Sequence, residues 1–313
     1  MAHLVDSMAY LGATPWHGLG QSLPPHQSLD VWLQAAGMDW TIEQTEVLFN
    51  TAAGAQLTYP DSKILYRSDN QTPLSVVSQR YNVVQPREVL HFYQDLVAAG
   101  GFELETAGSL KGGRKLWALA RTGQDLQLKD GDTVKSYLLL ATSCDGSICT
   151  TAQFTSVRVV CNNTLQIAVG DSAHAIKVPH STRFDPAAVK QALGLGAEQW
   201  ESFGLQVKAL SQRPVSPVEA TRFFSTLLEH SPDEAIVLSK PLQRLQALYQ
   251  GDGMGAGLAS ARHTAWGLVN AVTEYVDHHR RARNPDYRLD SAWFGQGAQL
   301  KGQALEHAIN LLQ

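Results

Sequence analysis

Cysteine is scarce in this chain, with three among 313 residues: Cys144, Cys149 and Cys161. An odd count in a chain of this length excludes a simple disulfide framework and points to free thiols in a reducing compartment. No apolar run approaches the roughly 18 residues that would span a bilayer. Met1 to Tyr10 carries Asp6 and neither Lys nor Arg, so the basic head of a secretion signal is missing too. Both absences predict a cytoplasmic protein with no membrane partner. The common catalytic signatures are also missing: no G-x-S-x-G elbow, no Walker loop and no H-E-x-x-H pair. Charged residues make up 17% and the net charge is −4. This excludes a protein that coats duplex DNA by bulk charge and leaves room for a local basic groove. The hydrophobic content of 44% suffices for a folded core.

What is present falls into three stretches: an arm over 1–27, a core domain over 28–184 and a helical region over 185–313. The arm is rich in Gly, Pro and aromatics and reads as irregular. Ser28 is placed to cap a helix bearing Leu29, Trp32, Leu33 and Ala36, which Gly37 ends. Strands are expected over Trp40 to Phe49, Lys63 to Arg67 and Leu74 to Ser78, with Asp69 and Asn70 as turn formers. Pro86 opens a helix with Val89, Leu90, Tyr93, Leu96 and Val97 at helical spacing, stopped by Gly100 and Gly101. Phe102 to Thr106, Lys115 to Arg121, Val134 to Thr142 and Thr150 to Phe154 complete a strand series punctuated by Gly112-Gly113, Asp130-Gly131 and Asp145-Gly146. Val157 to Val169 is ambiguous between strand and helix. Beyond Asp185 helical spacing takes over. The fold class is therefore α+β: an antiparallel β-meander with packed helices, then a helical C-terminal half.

The polar strand surface carries the leading functional expectation. Lys111, Arg114, Lys115 and Arg121 surround Trp117, and Arg80-Tyr81 opens a neighbouring segment; Arg158 adds a further cation. Cations meet phosphates and aromatic faces stack on unpaired bases, a sequence-tolerant grip on single strands. Alternation places Lys115, Trp117, Leu119 and Arg121 on one face. The competing structural reading is a hairpin with Trp117 in the core. A second basic cluster, Arg280, Arg281, Arg283 and Arg288 beside His278 and His279, also suits a helix C-terminus.

Other chemistry is weaker. Cys161 with His180 and Asp185 would supply nucleophile, base and orienter, but Cys161 sits in an apolar run that suits a packed thiol. The cysteines lack the paired short spacing of a zinc site, so neither metal nor cofactor is expected. The alternating glycines from Gly251 to Gly257 precede a helix, where they would either cradle a phosphate or form a linker. Arg158, Asn162, Asn163 and Thr164 form a polar edge, expected to line a groove or to lock the sheet to the helices.

Several stretches together carry a resemblance: Trp16-His17-Gly18-Leu19-Gly20, the segment Ala107 to Arg121, Asp145-Gly146-Ser147, the octet Arg158 to Leu165, and Thr264 to His278. They resemble a phage/plasmid-like protein family of unknown function, which implies a gene of a phage, plasmid or conjugative element. At the level of element order the chain is similar to single-strand annealing proteins of the RecT/Redβ and eukaryotic recombination-mediator type. That similarity implies single-stranded DNA as partner, a role in homologous recombination, and a homo-oligomeric ring or filament. The alternatives are an enzyme on a nucleotide or protein substrate using Cys161 and His180, or an interaction protein acting against host defence.

Overall fold

The computed structural model describes residues 5–12, 20–98, 101–158, 163–166, 175–193, 196–228, 239–283 and 285–313. Eleven strands and ten α-helices are found among them. Local signals explain many boundaries. Helix α1 (Leu29–Ala35) starts at Ser28, whose hydroxyl accepts from Val31 N, and stops before Gly37 at φ +59°. Helix α6 (Pro217–Leu227) carries a capping box, in which Ser216 and Glu219 satisfy each other's backbone N–H groups. Arg213 and the Ser216 backbone hold the Glu219 carboxyl down to about 2.

Two sheets form. The larger has the order β10-β9-β8-β7-β6-β1-β2, with β11 also on β9. Its core is the expected meander: β6 (Glu103–Leu110), β7 (Lys115–Gln127), β8 (Thr133–Ser143), β9 (Thr150–Arg158) and β10 (Asn163–Gln166). The ambiguous stretch after Val157 thus contributes a strand, pairing Asn163 with Arg158 and Leu165 with Ser156. Strand β1 (Val5–Leu11) runs antiparallel to β6, β2 (Gln21–Leu23) parallel to β1, and β11 (Ile176–Val178) antiparallel to β9. The supposedly irregular arm therefore supplies two strands. Met8, Ala9 and Tyr10 are buried there, so the pairing β6 offers outweighs the surrounding glycines and prolines.

The smaller sheet has the order β3-β4-β5, from β3 (Ile42–Asn50), β4 (Gln56–Arg67) and β5 (Pro73–Ser78). The helix expected from Pro86 onward divides into α2 (Pro86–His91) and α3 (Gln94–Ala98). Between them Tyr93, fully buried, donates its hydroxyl to the carbonyls of Ala118 and Leu138, 2.8 and 3.0 Å away. An anchor on two strands competes with a continuous helix at that point.

By contacts the chain divides into two interleaved units. The first is Met1–Gly123, Leu138–Gln153 and Ala175–Gly194. The second is Gln124–Tyr137, Phe154–His174 and Leu195–Gln313. The first holds the helices described above other than α6, together with α4 (Pro186–Leu193). The second is built on α5 (Gly196–Gln212), α6, α7 (Lys240–Ala247), α8 (Ala265–Glu274), α9 (Pro285–Phe294) and α10 (Gln296–Asn310). Its core gathers Phe203, Leu210, Phe224, Leu245, Leu268, Val272 and Leu305. Helix α8 is buried along its whole length, which hydrophobic packing from several helices requires. Among the described residues no helix is long and apolar enough to cross a membrane.

Candidate nucleic-acid interface

In the first unit, two hairpin tips lie side by side. The β6–β7 tip takes Lys111, Gly112 and Gly113 through positive φ (56°, 74° and 89°). Gly113 is required by a close approach as well: a Cβ there would stand 2.8 Å from the Trp40 ring. The Arg67 guanidinium covers that ring at 4.2 Å and grips Asp69 through two hydrogen bonds of 2.9 and 2.7 Å. The β8–β9 tip is laced to the first, since Cys144 N donates to Arg114 O at 2.7 Å and the Cys144 thiol to Gly113 O at 3.6 Å, while the Ser75 hydroxyl of β5 donates to Cys144 O. Burial raises the Asp145 carboxyl, but hydrogen bonds from Ser147 and the charges of Lys115 and Lys111 outweigh it and hold Asp145 below its ordinary value. Two of the expected phosphate ligands thus already face a carboxylate. Arg114 is exposed.

Tyr81 stands beside these tips. Its ring stacks on His180 at 4.3 Å and 15°, and its hydroxyl donates to Ser143 O at 2.8 Å. Burial pushes the phenol up to about 12. His180 places Nδ1 3.1 Å from Asn82 O and Nε2 3.0 Å from Ile148 O. Each ring nitrogen thus lies against a backbone carbonyl. In return Asn82 N donates to His180 O at 2.6 Å. Arg80 precedes Tyr81 and is exposed.

Tyr81 and Asn82 form one wall of an open groove of about 590 Å³. Glu43, Gln44, Lys63 and Tyr66 form the other. The Gln85 amide fixes the two walls, accepting from Ile42 N at 2.8 Å and donating to Ile42 O at 3.0 Å. A hydrogen bond with Glu43 raises the Tyr66 phenol. The groove thus offers two aromatic rings, a cation, and amide and carboxylate groups matched to base edges. Tyr66, Lys63, Gln44 and Glu43 escaped the sequence reading. Their signal is the alternation along β3 and β4, which gives Glu43 and Tyr66 as a cross-strand pair.

The remaining expected site residues go elsewhere. Trp117 is 1% exposed and belongs to the core, which corrects the stacking role expected for it. Lys115 is 4% exposed and is no surface cation either. Leu116 to Ala120 are buried at odd and even positions alike, so β7 has no wet face there. Arg121 sits opposite Glu103 at the far end of the β6–β7 pairing, about 20 Å from Lys115 at strand spacing. It lines a separate cavity with Trp32, Phe102 and Glu103. Arg158 occupies β9 in the second unit, where its side chain is outside the described residues, as is Cys161.

Asp185 accepts from Ala187 N and Ala188 N at the start of α4, and both ring nitrogens of His180 face carbonyls. The expected nucleophile–base–orienter trio therefore has its base and orienter committed to backbone groups. The Cys144 thiol is pushed up to about 12 by burial, an inert setting. In the second unit, the glycine-rich loop gives Met254 N to Glu274 Oε2 at 2.9 Å, and Ala259 N to Asp130 at 2.9 Å. A Cβ on Gly253 would come 3.2 Å from the same Glu274 oxygen. Carboxylates hold this loop, and they would repel a phosphate.

Fold and site together define an α+β protein with an aromatic, polar groove in its first unit. Residues 73–293, more than half of the chain, match the family described as Domain of unknown function (DUF932), and the chain belongs to that family. No curated protein and no solved structure matches it.

Proposed function

We propose that the protein binds single-stranded DNA and anneals it during homologous recombination, as a product of a phage, plasmid or conjugative element. The observation that carries this reading is the groove between Tyr66 and Tyr81. Stacking on tyrosine is tolerant of sequence, while Gln44, Asn82 and Glu43 suit the polar edges of unpaired bases. Exposed Arg80 beside the groove and Arg114 on the neighbouring tip supply cations for the backbone. The resemblance of the Arg158–Leu165 octet to phage/plasmid-like proteins supports the genetic setting. Self-association as a ring or filament draws support from the β3–β4 ribbon. There Val47 pairs with Tyr59 and Phe49 with Leu57, and Phe49, Leu57 and Tyr59 are 45–48% exposed.

The test is binding of a labelled, unstructured oligonucleotide to the full chain at low salt. Tyr66→Ala is expected to weaken binding by about 1–3 kcal/mol without lowering the melting temperature. Absence of any binding by the wild type ends this reading.

A further inference from the structure

The second unit concentrates arginine where α8 ends. The helix continues through a π-helical turn, Tyr275–His279, and stops at Arg280. The acids of this stretch are already engaged. Buried Asp277 pairs with buried Lys301 at 2.8 Å, and buried Glu274 accepts from Met254 N and lies 3.7 Å from His279. By contrast, among the described residues none of Arg280, Arg281, Arg283 and Arg288 has a carboxylate within ion-pair distance. Arg280 donates to Gln296 Oε1 at 3.2 Å, Arg288 donates to His278 O at 2.9 Å, and Arg283 lies 5.8 Å from the Tyr287 ring. Arg281 and Arg283 are exposed. Two nitrogens of these guanidinium groups, Arg280 Nη1 and Arg288 Nε, are buried without a hydrogen-bond partner among the described residues. An enclosed, unanswered donor is costly, and two in this arginine stretch leave guanidinium hydrogen-bonding capacity that an acceptor can take up. Burial, and then the charges of Arg244, His278 and Arg288, push His279 below its ordinary value, which marks the surrounding potential as positive.

We propose that Arg280, Arg281, Arg283 and Arg288 form a phosphate-binding site that takes the sugar–phosphate backbone of a single strand. The proposal rests on the nucleic-acid reading only for the source of the phosphate. Guanidinium forks match phosphate oxygens in pairs, and among the described residues no carboxylate lies within ion-pair distance of them.

The experiment measures oligonucleotide affinity against salt for the full chain, its Arg281→Gln/Arg283→Gln double variant and Arg288→Lys. Both double-variant positions are exposed, so circular dichroism and melting temperature should match wild type. Loss of two backbone contacts should reduce the log–log salt slope by about 1.4. The affinity gap from wild type then narrows about sevenfold between 50 and 200 mM salt. Arg288→Lys keeps the charge and loses the fork, so affinity should fall severalfold with the slope unchanged. An unaltered slope in the folded double variant overturns the site and leaves the groove reading standing. If the wild type binds no oligonucleotide, inorganic phosphate decides: a phosphate-induced rise in melting temperature, absent in the double variant, keeps the site and removes only the nucleic-acid source. No rise in the wild type overturns both.

Discussion

Two basic stretches of this chain look alike in sequence and fare differently in the fold. Lys111 to Lys115 is a hairpin tip pressed onto Trp40, with Lys115 almost wholly buried and both lysines facing Asp145. Arg280 to Arg288 follows a helix end whose acids Asp277 and Glu274 are held by Lys301 and by a backbone N–H. Residue type alone does not make a phosphate site. What separates the two is whether the fold brings a carboxylate to the cations, and Asp145 reaches Lys111 only through strand pairing.

The largest expected effect strikes the strand that follows the first stretch. Trp117→Ala removes a fully buried indole between strands covered on both faces, and should cost about 3–5 kcal/mol in urea unfolding. A folded variant within about 1 kcal/mol of wild type, but deficient in oligonucleotide binding, would return Trp117 to the interface and undo the contrast.

A middle-sized effect is expected at His180. His180→Ala removes the ring nitrogens that face the carbonyls of Asn82 and Ile148, and with them the stack on Tyr81. About 2–3 kcal/mol of stability should be lost. Because His180 positions Tyr81, oligonucleotide binding should weaken as well, with the salt slope retained. If stability stays at the wild-type level while an enzymatic turnover disappears, His180 is a catalytic base after all.

These outcomes turn on what the sequence could and could not reveal. Helix α1 was legible because its signals are local: Ser28 at one end, Gly37 at the other. The meander was legible because each turn announced itself, at Gly112-Gly113, Asp130-Gly131 and Asp145-Gly146. Strand β1 was hidden because its pairing with β6 spans about a hundred residues, from Tyr10 to Thr106, and its neighbours look like loop. Trp117 was misplaced for a related reason. Alternation distinguishes a wet face from a dry one only when one face is wet, and nothing near Trp117 tells that β7 is covered twice. The groove was half legible. Tyr81 stood out beside Arg80, whereas the opposing Tyr66 and the distant His180 meet it only in the fold.

The smallest expected effect probes Asp145 itself. Its folded-state carboxyl lies below the ordinary value, so between the two values the unfolded chain binds more protons than the folded one. The corresponding stability is fully present above about pH 4 and is lost as pH falls through the folded value. Asp145→Asn should flatten that acid limb. The side chain is partly open to solvent, which screens the lysine charges acting on it, so the loss near neutrality should stay under about 1 kcal/mol. The same substitution removes the Asp145 charge that acts on Lys111 and Lys115. If charge neutralisation is what distinguishes this tip from the arginine stretch, the oligonucleotide salt slope should steepen by about 0.7, the share of one added phosphate contact. Lys115 is too buried to supply that contact, so Lys111→Gln in the Asp145→Asn background should abolish the gain. A slope that stays at the wild-type value in Asp145→Asn would mean that burial, rather than a facing acid, keeps the hairpin cations from a strand.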